Sequence, residues 1–204
     1  MSAVPAGEEP IRILYRGVNV APLLEQLKAN PDLWDQNRFR TEGAYGGPHT
    51  RLSDIIVRFN DWGNWTGDRA AFNEEHESVW WAPYEKLTYI QPLVFDLMRM
   101  FQAERLGMVL ITRIPPHVDC LPHVDVGWHA GYYLKFGLQV KAAEGQRFCY
   151  ENYEIETQVG DLFAFDNSKP HWVKNPTDEE RITLIMCLRL QQPICHDCRY
   201  PGAL

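Results

Sequence analysis

Apolar and polar positions divide this chain into an irregular, helix-bearing first half and a strand-rich second half. Ala21 to Asn30 alternates with helical spacing and stops at Pro31, which predicts a short amphipathic helix. Gln36 to Pro48 is a polar, glycine-rich loop, and the β-branched run Ser53 to Phe59 reads as a strand. Asn60 to Pro83 scatters Trp62, Trp65, Trp80 and Trp81 among glycines and charges and reads as a long loop. The clearest helix is Gln91 to Glu104. Leu93, Leu97 and Phe101 recur at i, i+4 and i+8, Pro92 suits the first turn, and Gly107 is a plausible stop. From Met108 the period changes. Short β-rich runs follow at 108–114, 133–140, 147–150, 153–158, 161–165, 172–174 and 181–190, separated by turns such as Ala143-Glu144-Gly145. Many short strands with frequent turns predict a sandwich or jelly roll. The expected organisation is one structural domain: 1–107 packing on the core, 108–190 forming it, and 191–204 as a tail.

Composition changes this picture little. The 204 residues are 45% hydrophobic and 23% charged, enough for a real core. A net charge of −7 does not fit broad nucleic-acid binding, although it leaves room for a locally basic pocket. Met1 to Pro10 is an acidic, flexible-looking lead without the basic flank and apolar run of a signal peptide. No uncharged stretch is long enough for a bilayer, so the expected location is the cytoplasm, without a membrane partner. Five cysteines, an odd number, are then expected as reduced thiols. Cys195-His196-Asp197-Cys198 resembles half a zinc site, but no second Cys-x-x-Cys exists, and a reduced pair in a tail is the expectation. The tryptophans are expected to pack in the core or loops, with Trp62, Trp65, Trp80 and Trp81 the alternative lining of a substrate groove.

The chemistry concentrates in the second half. His123 and Asp125 are two residues apart, so in extended chain both point to one side. His171 follows the turn Asn167-Ser168-Lys169-Pro170, and Arg181 comes ten residues later. Two imidazoles and one carboxylate cap one face of Fe(II), or of Mn, Co or Ni, and leave the other face open. A local duplication supplies a rival pair, His117 and Asp119, and His129 is a further candidate. The chemistry of the side chains does not choose between 117/119 and 123/125.

Thr112 to Asp125 (TRIPPHVDCLPHVD), then Gly160 to Asn175 (GDLFAFDNSKPHWVKN) and Arg181, resemble the aspartyl/asparaginyl β-hydroxylase family of Fe(II)/2-oxoglutarate oxygenases. The specific part is Phe165-Asp166-Asn167-Ser168, His171 and Arg181. The resemblance implies a double-stranded β-helix, a cupin-like jelly roll, within a mainly β chain carrying N-terminal helices (α+β). It places His123 on the proximal and His171 on the distal metal ligand, and His117 on a turn. Arg181 and Thr112 fall on the groups that hold the far carboxylate of 2-oxoglutarate. Asp125 supplies a carboxylate that the best-known animal member lacks. Where the family commonly has Arg-x-His, this chain has Lys135-Phe136-Gly137. Lysine keeps the charge but loses the bidentate fork, so the metal-side carboxylate must be gripped differently.

These readings converge on an Fe(II)-, 2-oxoglutarate- and O2-dependent hydroxylase of a small-molecule or peptidyl, Asp/Asn-type substrate, with succinate and CO2 as co-products. Two other classes make different predictions. A metal cupin that does not use 2-oxoglutarate keeps its activity in Arg181→Ala. A non-catalytic jelly-roll binding module keeps partner binding in His171→Ala.

Overall fold

The computed structural model describes residues 9–42 and 47–192. The Cys-x-x-Cys of the zinc half-site pattern, Cys195 and Cys198, lies outside them. In chain order the elements are β1 (Ile11–Tyr15), α1 (Ala21–Ala29), β2 (Ser53–Asn60), α2 (Arg69–Phe72), β3 (Ser78–Trp80), α3 (Pro83–Lys86), α4 (Ile90–Met100), β4 (Ala103–Ile114), β5 (Cys120–His123), α5 (Trp128–Tyr132), β6 (Leu134–Lys141), β7 (Arg147–Tyr150), β8 (Tyr153–Ile155), β9 (Leu162–Phe165), β10 (His171–Lys174) and β11 (Arg181–Leu190). They build a seven-stranded sheet, β1-β9-β6-β11-β4-β2-β3, facing a four-stranded sheet, β5-β10-β7-β8. Neighbouring strands run antiparallel in both sheets. The chain is therefore mainly β with a few helices, the jelly-roll arrangement expected.

Strand β11 shows how the sequence builds two layers at once. Ile182, Leu184, Met186 and Leu188 enter the core that the large sheet shares with α1 and α4. Arg181, Thr183, Ile185 and Cys187 face the other way, into a cavity between the sheets. A strand's side chains alternate between faces, so one nearly apolar run serves both a helix-covered core and a polar interior. Strand β4 repeats the pattern, with Val109 and Ile111 in the core and Leu110, Thr112 and Ile114 on the cavity. A smaller cluster of Ile11, Phe148, Tyr150, Phe163 and Phe165 joins the two sheets.

Some element boundaries differ from expectation. Helix α4 buries Ile90, Leu93, Val94 and Leu97 but stops at Met100, short of Gly107. The chain reverses at Gln102, whose φ is +52°, and residues 103–107 enter β4. Gly107 has a packing role instead, because a Cβ there would lie 2.7 Å from Nε2 of His129. The loop predicted over 60–83 carries α2 and β3. Asp68 caps α2 by accepting from the Ala70 and Ala71 amides, and Phe72 packs against Phe39, Phe59, Trp62 and Trp65. Strand β1 has too little alternation to be read from sequence, and pairing with β9 creates it. Among the described residues Cys120, Cys149 and Cys187 are buried free thiols. No helix among them is long and apolar enough to cross a membrane.

Candidate metal centre

Strands β5 and β10 pair antiparallel with His123 directly opposite His171. Asp125 lies two residues beyond His123, where its N–H donates to the Asn167 carbonyl at 3.1 Å. That bond ties the β5 exit to the turn before His171. One donor atom from each of His123, Asp125 and His171 then lies within 4.8 Å of the others. Nε2 of His123 is 3.8 Å from Oδ1 of Asp125, and Nε2 of His171 is 3.8 Å from Oδ2.

Both imidazoles are oriented from behind. Nδ1 of His123 donates to the Leu121 carbonyl at 2.8 Å, and Nδ1 of His171 to the Lys169 carbonyl at 2.9 Å. A carbonyl only accepts, so each Nδ1 carries the hydrogen and each Nε2 keeps a lone pair aimed at the carboxylate. Phe148 stacks on the His171 ring, 5.8 Å between centroids and nearly parallel. Burial pulls His171 down to about 4, against an opposing pull from Asp125, and burial likewise lowers His123. Both rings are neutral at neutral pH, the form that coordinates. Burial raises the Asp125 carboxyl, but the Lys135 ammonium, helped by His171 and His123, outweighs it and holds the group at about 2.

The Asp166-Asn167-Ser168 segment is architectural. Oδ1 of Asp166 accepts from both the amide and the hydroxyl of Ser168, folding the turn that delivers His171. Tyr150 donates to the Asp166 carbonyl at 3.0 Å.

The rival pair faces elsewhere. His117 adopts φ +56° in a turn, and its Nε2 meets the exposed Asp178 at 2.8 Å. Asp119 accepts from the Asn175 amide at 2.8 Å. His129 is buried and accepts from the Met108 amide at Nε2, 3.1 Å away, so that lone pair is occupied. His49, Cys120 and His123 form a second close set. It shares His123, and burial pushes the Cys120 thiol up to about 12.

Lys135 points inward, with Nζ 2.5 Å from Oδ2 of Asp125, so it is a site residue rather than a solvated surface charge. Gly137 has a steric explanation. A Cβ there would stand 2.2 Å from Cζ of Phe163, so the aromatic ring occupies the space a larger residue would need. Arg181 is 1% exposed. Nη2 donates to Oγ1 of Thr157 at 2.8 Å, while Nε and Nη1 are buried without a partner among the described residues. Burial pulls its guanidinium down to about 10, and it remains charged at neutral pH. Thr112 lies diagonally across the β4–β11 pair on the same cavity.

Sequence reasoning missed Arg40. Its Nε and Nη2 grip both oxygens of Asp54 at 2.6 Å, and Nη2 also donates to Oγ1 of Thr112 at 3.0 Å. Burial disfavours the Arg40 charge, and Asp54 more than restores it. The available signal was Asp54 itself, an acid inside a β-branched run. With Arg40, Arg69, Lys135 and Arg181 on its walls, the cavity of this acidic protein is locally basic. Arg58 is not among its residues; it lies over the Trp80 ring at 5.2 Å. Trp62, Trp80 and Trp81 line a separate surface groove.

The sequence profile of the aspartyl/asparaginyl β-hydroxylases matches residues 75–190, more than half of the chain. The chain belongs to the aspartyl/asparaginyl β-hydroxylase family. It is accordingly a hydroxylase of the Fe(II)/2-oxoglutarate oxygenase class. Among solved structures it resembles an oxidoreductase of the 2OG-Fe(II) oxygenase family from Burkholderia pseudomallei (14% identity, 74% of this chain and 68% of that one, TM-score 0.51). It also resembles a prolyl hydroxylase from Trichoplax adhaerens, solved with a peptide fragment of the hypoxia-inducible factor oxygen degradation domain (12% identity, 89% and 83%, TM-score 0.54). At such identities the likeness is one of fold. No curated protein sequence matches the chain. The β-hydroxylase match spans His123, Asp125, Lys135, His171 and Arg181 and stops short of Arg40, Asp54 and Arg69.

Proposed function

We propose that this β-hydroxylase holds Fe(II) with His123, Asp125 and His171 and binds 2-oxoglutarate between that centre and Arg181. The carrying observation is that a buried guanidinium, two of whose nitrogens have no partner among the described residues, lines the same cavity as three converging donors able to hold a metal. An uncompensated buried cation is costly, and a carboxylate is the partner that relieves it with strong, charge-assisted bonds. The donor set suits Fe(II): two neutral imidazoles and one carboxylate, with room left for cosubstrate and O2.

Arg181 receives the far carboxylate of 2-oxoglutarate. Thr112 assists, because its hydroxyl accepts from Arg40 and keeps one hydrogen to donate. Lys135, already beside the ligand carboxylate, meets the metal-side carboxylate of the cosubstrate. The bound iron supplies the activation of O2 that couples conversion of 2-oxoglutarate to succinate and CO2 with hydroxylation of a substrate C–H bond. The chain's own groups hold the reactants in place, and the apolar packing of Phe148 and Phe165 around His171 shields the centre from water.

The substrate is an Asp- or Asn-type side chain, free or within a peptide. Family membership supports this reading, as do Arg69 and Asn73 on the cavity wall, where they can receive a carboxylate or carboxamide. The test is succinate formation from 2-oxoglutarate by protein supplied with Fe(II) and O2, with and without Asp- and Asn-containing peptides. Turnover stimulated by those peptides and lost in Arg181→Ala and His171→Ala is expected. Activity that survives Arg181→Ala, or failure to bind 2-oxoglutarate, overturns the reading.

A further inference from the structure

Arginine offers five N–H donors and no acceptor, so whatever orients Arg181 must accept from it. Among the described residues that group is Thr157, on the segment between β8 and β9 and 3% exposed. Its oxygen is 2.8 Å from Nη2 of Arg181 and 2.8 Å from Oε1 of Gln139. Accepting from the arginine leaves the threonine a single hydrogen, which goes to the glutamine. That fixes the amide orientation of Gln139. Its Nε2 donates to the carbonyls of Lys141 at 2.7 Å and Ile182 at 2.8 Å. Gln139 and Arg181 are also buried, so every member of this chain is held away from water.

The chain is anchored at an irregularity. Along β11 the pairing with β6 runs Thr183 opposite Gln139 but Ile182 opposite Lys141, so β6 carries one extra residue beside Arg181. A bulge re-aims neighbouring side chains and disturbs the ladder. Here the Gln139 amide bonds carbonyls on both strands just past the slip, those of the paired residues Lys141 and Ile182, and through Thr157 it holds the guanidinium of Arg181, the neighbour of Ile182 on β11.

Resting on the reading of Arg181 as the 2-oxoglutarate arginine, we infer that Thr157 and Gln139 are positioning residues for the cosubstrate. They hold Arg181 by one hydrogen of Nη2 and leave its other guanidinium hydrogens free for the far carboxylate. A hydroxyl is needed at 157, but the threonine methyl is not.

The experiment uses the full chain loaded with Mn(II) and measures binding of 2-oxoglutarate and of oxalate by calorimetry. Oxalate offers the metal a similar chelate but has no distal carboxylate to reach Arg181. Thr157→Val should weaken 2-oxoglutarate by about 10-fold, the loss expected for one charged hydrogen bond, and leave oxalate unchanged. Thr157→Ser should behave as the parent. Should Thr157→Val fail to fold, Gln139→Met cuts the same chain at its other end and carries the same expectation. The inference is overturned if Thr157→Val binds 2-oxoglutarate like the parent, if serine and valine lose equally, or if both ligands weaken together. Arg181→Met separates the two readings. If it does not weaken 2-oxoglutarate, the function proposed above fails whatever Thr157 does.

Discussion

His123 and His171 are register partners across the β5–β10 pair, and their ring centroids lie 4.4 Å apart although 48 residues separate them along the chain. Facing positions on adjacent antiparallel strands hold side chains at nearly fixed separation. The spacing of the two imidazoles is therefore set by the sheet. Removing either ring should abolish tight binding, with Mn(II) affinity falling at least about 100-fold, since even outer-shell partners of such ligands cost up to that. Titration calorimetry on His123→Ala and His171→Ala checks this, with unchanged circular dichroism as the fold control.

His117→Ala should do neither. Its ring pairs with an exposed carboxylate on the outside of the turn, so Mn(II) affinity and melting temperature should match the parent. A loss of metal binding in this variant would move the proximal ligand to 117.

The pH dependence follows from burial. His171 is lowered to about 4 and His129 to about 3, in each case first by desolvation, against an ordinary value of 6.5. Between the folded and ordinary values the unfolded chain binds protons that the folded chain does not. These rings therefore contribute stability that is fully present above about pH 6.5 and is lost as pH falls toward 4 and 3, on the order of a few kcal/mol. Urea unfolding at about pH 7 and about pH 5 should show the decline. For the same reason Mn(II) binding should weaken as pH falls and the two lowered imidazoles take up protons. Binding that titrates away near the ordinary imidazole value would contradict the burial of His171.

Gly137→Ala pushes a methyl into the Phe163 ring. Overpacking of this kind costs about 1–3 kcal/mol. For a chain of this size that lowers the melting temperature by roughly 2–12 °C. Phe163→Leu in the same molecule should recover part of the loss by vacating the clash, a coupling that a double-mutant cycle measures.

Asp54→Ala leaves the Arg40 guanidinium without its counter-ion at a site where the carboxylate is 1% exposed. Breaking a buried pair from one side costs about 3–5 kcal/mol. Chemical denaturation should show that loss. Thr112→Val, which removes one acceptor from Arg40, should cost nearer 1 kcal/mol and weaken 2-oxoglutarate while sparing oxalate.

Much of the site could be read locally. The i, i+2 spacing of His123 and Asp125, the later histidine and the arginine ten residues on are short-range features, and so is the period-2 patterning of β4, β6 and β11. Helix α1 and strand β2 lie close to where alternation put them. The end of α4 did not, because helical spacing continued to Phe101 while long-range pairing with β11 drew residues from 103 into the sheet. Strand β1 was invisible for a related reason, since its order comes from β9.

The chain's own alternation and side-chain chemistry determined which residue types stand at metal-binding and anion-binding spacings, and that the second half would fold as β-sheet. Tertiary structure decided which of two similar His-x-Asp pairs meets His171, that Lys135 turns inward, and that Arg40, Asp54, Thr157 and Gln139 surround the groups the motifs name. The physical reason is range. Side-chain direction along a strand is set by neighbours one and two residues away. Convergence is set by the register and the bulges of strands tens of residues apart, which no local pattern encodes.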